Sequence, residues 1–104
     1  MSTSNLYTLE NTKMSVAILA AAALFIIFVG AFGVFLAESG HAGANITHYG
    51  DAVWWAVVTI ATVGYGDYYP VTAVGRIIAM FMMVSGVGIF ALMVATFAKR
   101  RLQK

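Results

Sequence analysis

The stretch with a chemistry of its own is Thr62-Val63-Gly64-Tyr65-Gly66-Asp67. It holds no base–nucleophile pair and no phosphate-binding loop. What it offers is a row of backbone carbonyls with Gly64 and Gly66 spaced two apart. A dehydrated cation needs its water oxygens replaced by others at similar distance. Backbone carbonyls can do this only if they all point one way, into a narrow axis. That demands alternating backbone conformations which a Cβ resists, and glycine removes the penalty. One strand of carbonyls cannot encircle an ion. The chain has no internal repeat, so any further strands must come from separate subunits.

Irregular backbone of this kind needs particular surroundings, and the composition says which. The chain has 104 residues, 62% of them hydrophobic and 10% charged. Soluble domains run at about 45–50% apolar and about 25% charged. So few charges cannot solvate a globule this apolar, and a membrane is the first reading. The net charge of +2 is too small to point to nucleic acid. There is no cysteine, which rules out disulfides and thiolate metal sites. His41 and His48 stand alone in a loop without metal-ligand spacing.

Two apolar runs can cross a bilayer. Residues 14–37 carry no charge over 24 positions, and residues 77–98 carry none over 22. As helices they extend roughly 36 and 33 Å, enough for a hydrocarbon core of about 30 Å. The first run is too long for a signal-peptide core of about 7–15 residues. Lys99, Arg100, Arg101 and Lys104 follow the second run, and Lys13 precedes the first. The segment between carries only Arg76 against Glu38, Asp51 and Asp67. The positive-inside rule then places both termini in the cytoplasm and the central segment outside.

That central segment has three parts. Residues 38–50 are polar and Gly-rich and read as an exposed loop. Asp51 is placed to cap a helix. Residues 52–61 are too few to span and too apolar for water, which fits a re-entrant helix. The carbonyl row follows at once. Backbone without regular structure is tolerated at membrane depth only where protein buries it or where it lines a wet cavity.

Thr62 to Asp67 resembles the selectivity-filter signature of potassium channels, TVGYG followed by Asp. The resemblance takes in most of the chain and is nearest in pattern to prokaryotic two-transmembrane potassium channels. It implies that the carbonyls of Thr62, Val63, Gly64 and Tyr65, with the Thr62 hydroxyl, line potassium sites that Gly66 helps to shape. It implies a homotetramer, each chain meeting three identical subunits around one axis. K+ in the filter is the bound ion, with no organic cofactor and no nucleic-acid partner. Lipid surrounds a multi-pass protein of the cell membrane. Many relatives continue into a cytoplasmic ligand-binding domain, so the resemblance leaves open a regulatory domain beyond residue 104.

The resemblance also assigns supporting roles. Trp54, Trp55 and Tyr65 match an aromatic cuff around the filter, with the Trp54 indole placed to donate to Asp67; an interfacial aromatic belt is the alternative. Tyr69 matches an outer-mouth position where four rings cage tetraethylammonium by cation–π contact. Gly86 matches a gating hinge, and close helix packing is the alternative for Gly86 and for Gly88. Val87, Phe90, Val94 and Ala98 follow at helical spacing and are expected at the inner cavity or gate. Glu38 and Arg76, both near the outer face, could pair, though an exposed pair is worth only roughly 0–1 kcal/mol. Asn45-Ile46-Thr47 is a glycosylation sequon that matters only in a host that glycosylates.

The expected fold is all-α and membrane-bound. A cytoplasmic segment (1–13) precedes the pore domain (14–98), and a basic tail (99–104) follows. Within the pore domain lie an outer helix near 14–38, a pore helix near 52–61, the filter at 62–66 and an inner helix near 73–98. Val58 departs from the pattern, since some relatives carry there a Glu that pairs with the filter Asp. A valine cannot pair, so slow filter inactivation should be weak. Current should hold through many seconds of opening, and rapid decay in a bilayer recording would contradict this.

Overall fold

The computed structural model describes residues 3–102. Three helices account for most of them: α1 (Thr3–Glu38), α2 (Tyr49–Ile60) and α3 (Ala73–Leu102). Helix α1 begins well ahead of the expected start at residue 14. Nothing between Thr3 and Lys13 breaks a helix, and extending an existing helix costs far less than nucleating one. For the same reason α3 runs through Lys99 and Arg101 to Leu102.

Helices α1 and α3 pack antiparallel, and small residues set the register. A Cβ on Gly30 would lie 2.5 Å from the Met82 sulfur, and one on Gly33 would lie 3.3 Å from Ile78. Further along, Glu38 meets Thr72 and the space at Gly75. As numbers rise on α1 they fall on α3, so the start of α1 and the end of α3 share one end of the molecule. Close backbone approach over small residues is how helices associate where lipid removes the hydrophobic drive.

Helix α2 sits against both long helices. Ala31 and Val34 of α1, Ala52, Trp55 and Ala56 of α2, Ala79 and Met82 of α3, and Ile46 of the preceding loop form the core. The bulk of the long helices lies outside it. Only 17% of the most apolar stretch of each span is buried within the chain, and Phe81 and Val84 are 72% and 74% exposed. Helices built this way match a medium of lipid tails or neighbouring chains, not water.

Two local expectations are corrected. Helix α2 starts at Tyr49, so Asp51 lies in its first turn and His48 holds the N-cap position without a side-chain cap bond. The Asp51 carboxylate instead sits 3.6 Å from the His48 ring, where the positive end of the helix still favours it.

Glu38 and Arg76 do not pair. Glu38 is fully buried and accepts from the Val71 N–H (2.6 Å), the Thr72 N–H (2.9 Å) and the Thr72 hydroxyl. Arg76 donates its Nε–H to the Pro70 carbonyl at 3.3 Å. The physical reason is the start of α3, where unsatisfied amides attract a carboxylate more strongly than an exposed cation would. Thr72 completes the joint by accepting from the Gly75 N–H at 3.0 Å. A Cβ on Gly75 would come within 2.8 Å of the Glu38 carboxylate, so glycine keeps that seat open.

Glu38→Ala would leave three part-buried donors without their acceptor. Hydrogen bonds to a charged group are worth about 1.5–3 kcal/mol each, so stability should fall by about 3 kcal/mol or more. Unfolding of the detergent-solubilised protein measures this, and a loss below about 1 kcal/mol would refute the role of the joint.

Candidate functional site

Helix α2 ends by passing its hydrogen bonds directly into the filter segment. The Ala61 N–H donates to the Val57 carbonyl (2.9 Å) and the Thr62 N–H to the Thr59 carbonyl (3.1 Å). The Val58 carbonyl then accepts twice, from the Val63 N–H at 2.9 Å and the Gly64 N–H at 3.3 Å. The first residues of the filter thus hang from the last turn of α2.

Beyond that anchor the backbone alternates. Thr62, Gly64 and Gly66 have φ of +61°, +58° and +80°. A left-handed residue at every second position lets successive peptide carbonyls line one side instead of alternating. Nothing lies within 4 Å of a Cβ added at Gly64 or Gly66, so conformation and not space calls for glycine there. The spacing of the two glycines made this legible in the sequence. Thr62 did not announce itself, because a β-branched residue at positive φ is costly and normally avoided. Its strain is held by the bonds to the end of α2.

Three side chains brace the outer half of the segment. The Trp54 indole N–H donates to the Asp67 carboxylate at 2.8 Å, and Asp67 also accepts from the Tyr68 N–H at 3.0 Å. The rings of Trp54 and Tyr65 are parallel within 3° at 6.0 Å, an offset stack. Trp55 goes elsewhere. It is buried in the core against α1, because adjacent residues on a helix point about 100° apart. Tyr65 itself is 68% exposed, and residues 61–67 are all open to the surroundings. In one chain the segment is therefore uncovered.

Several residues of the site were not legible in the sequence. Asn45, read there only as part of a sequon, accepts from the Tyr69 N–H at 2.7 Å and ties the loop before α2 to the filter exit. Ile46 beside it is fully buried and seats that loop on the core. Tyr49 donates its hydroxyl to the Phe28 carbonyl of α1 at 2.9 Å. Its ring meets Phe32 and Phe35 edge to face, each at 6.1 Å. No periodicity or motif marks these contacts, because they join segments far apart in the chain.

On α3, Gly86 is buried where the helix crosses the end of α2. A Cβ there would lie 3.2 Å from the Ile60 carbonyl oxygen and 3.3 Å from its Cα. Close packing thus has a definite partner at Gly86. Gly88 has nothing within 4 Å. Val87, Phe90, Val94 and Ala98 are all exposed on the single chain. Among the described residues, no cluster of His, Asp and Glu could hold a metal through side chains.

Comparison with known proteins gives a consistent set of matches. Residues 14–102 match a family model described as "Ion channel". A voltage-gated potassium channel of Aeropyrum pernix is 37% identical over 75 residues, covering 72% of this chain and 25% of that protein. A calcium-gated potassium channel of Thermoplasma volcanium is 36% identical over 75 residues, covering 72% and 22%. Potassium voltage-gated channel subfamily A member 5 of Homo sapiens is 40% identical over 73 residues, covering 66% and 12%. The chain thus spans about a quarter or less of the length of these relatives.

Proposed function

This chain belongs to the ion-channel family and is a membrane protein, and on that premise we propose that it is the pore-forming subunit of a potassium-selective channel. The observation that carries the reading is the alternating backbone at Thr62, Gly64 and Gly66, hung from the carbonyl of Val58. Four identical chains close the ring. The carbonyls of Thr62, Val63, Gly64 and Tyr65, with the Thr62 hydroxyl, then take the place of water around K+. A carbonyl cage of that kind passes an ion while rejecting one whose hydration it cannot match. Conduction is passive, down the electrochemical gradient. The relatives are channels, so no residue is assigned a catalytic step.

The remaining elements have roles in the same assembly. The C-terminal end of α2 lies against Gly86, roughly 20 Å along α3 from its start. The partial negative charge of four such helix ends would favour a cation near mid-membrane. Below that level Val87, Phe90, Val94 and Ala98 line the inner cavity and gate. Gly86, resting on Ile60, is the fulcrum about which the lower part of α3 moves. Trp54 and Asp67 hold the filter's outer half, and Trp55 holds the pore helix to the core. Both termini face the cytoplasm of a cell membrane. That placement is supported by the antiparallel packing of α1 and α3 and by the basic residues at the end of α3. A cytoplasmic regulatory domain beyond residue 104 would be the natural source of the gating signal, as the short coverage of the relatives allows.

Two measurements test the reading. Purified protein in planar bilayers, under a K+/Na+ bi-ionic gradient, should reverse near the potassium Nernst potential. Clear current reversing near zero would replace selectivity by a non-selective cation pore. At the outer mouth, the Tyr69 ring is half-exposed beside the filter exit. External tetraethylammonium should block the channel, and Tyr69→Val should weaken that block by about tenfold or more, the scale of a desolvated cation–π contact. Unchanged block in the variant would refute the assignment.

A further inference from the structure

Position of the filter depends on position of α2, since the Thr62, Val63 and Gly64 amides all donate into its last turn. At its other end α2 is seated by buried Ala52 and, through the preceding loop, by buried Ile46. His48 makes no side-chain cap bond, and the loop before it is polar and Gly-rich. A hydrogen bond from α2 itself to α1 at that end comes from Tyr49, whose hydroxyl donates to the Phe28 carbonyl at 2.9 Å.

We propose that Tyr49 is a positioning residue for the filter: its hydroxyl fixes the first turn of α2 to the backbone of α1 and so sets where the Val58 carbonyl presents itself to Val63 and Gly64. The inference rests on the conduction reading above. Four features support it.

The acceptor is a backbone oxygen inside a continuous helix. It cannot swing away as a side chain would, and its second lone pair is free for a donor from outside. The donor is a phenol, rigid over two torsions. Its ring is held edge to face by Phe32 and Phe35, on either side of one turn of α1. Phe28 lies roughly 15 Å along α1 from Glu38, within the apolar span. Among apolar side chains an unmet phenol hydroxyl is costly, which favours the bond. Finally, the far end of α2 rests on Gly86 through Ile60. With one end against α3 and the other tied to α1, α2 has two fixed points and its tilt is determined. The ring contacts alone would be served by phenylalanine, so the hydroxyl is the distinguishing group.

Tyr49→Phe removes only that hydroxyl. The test compares wild type and variant in the same preparation, by gel filtration for assembly, by calorimetric titration of K+ into Na+ buffer, and by the K+/Na+ reversal potential. Assembly should be unchanged. K+ affinity should fall about fivefold, the scale of one hydrogen bond, with Na+ permeability relative to K+ rising by a similar factor. A purely structural residue would change the yield of assembled protein and leave both ratios alone. Assembled Tyr49→Phe with wild-type K+ affinity and reversal potential would overturn the inference while leaving the conduction reading intact. Failure of Tyr49→Phe to assemble would overturn it in favour of a folding role. A wild type that does not prefer K+ over Na+ would overturn the conduction reading and this inference with it.

Discussion

The structure turns on the need of a non-helical backbone to have its amides satisfied where water is scarce. The Thr62–Gly66 segment is neither helix nor strand, so it cannot satisfy its own amides. Its first N–H groups therefore go back to the helix that precedes it, and the Val58 carbonyl takes two of them. That single arrangement explains why a short helix must come immediately before the filter. It also explains why the helix is short: its end stops against Gly86, part-way along α3. The left-handed conformations at Thr62, Gly64 and Gly66 follow from the same demand. At two of the three positions glycine makes that conformation free of strain.

The rest of the chain makes the short helix immobile. Helices α1 and α3 approach closely through Gly30 and Gly33, and Glu38 joins the end of α1 to the start of α3. A buried carboxylate is costly unless fully hydrogen-bonded. Here the amides at a helix start supply the bonds, and Gly75 supplies the room. The loop between α1 and α2 is fastened in turn by buried Ile46 and by the bond from the Tyr69 amide to Asn45. The frame therefore grips α2 along its length and grips the filter at both ends.

The single chain leaves the surfaces assigned to the proposed pore uncovered. The filter segment is exposed throughout, as are Val87, Phe90 and Val94 below it. A carbonyl row on one side of one strand has nothing opposite it. Exposed apolar surface on the outer faces of α1 and α3 has a ready neighbour in lipid. The exposed filter has one only in further copies, which is the physical basis for reading the chain as one part of a ring.

What the sequence determined by itself was whatever local pattern encodes. Two long uncharged runs specify two spans, because only a helix satisfies its own backbone in lipid. The Gly64-Tyr65-Gly66 spacing specifies an alternating backbone, because φ preference is a property of the residue. The Trp54–Asp67 bond was also legible, since both ends lie within one motif. Tertiary structure decided the contacts that distance along the chain hides. It took Glu38 from a supposed surface pair with Arg76 into a buried joint with Val71 and Thr72. It separated Trp55 from Trp54, and it made Asn45 and Tyr49 part of the site. The Glu38, Asn45 and Tyr49 contacts depend on which backbone amide or carbonyl a fold leaves within reach. Such groups are the same in every residue, so no choice of side chain in the sequence marks them.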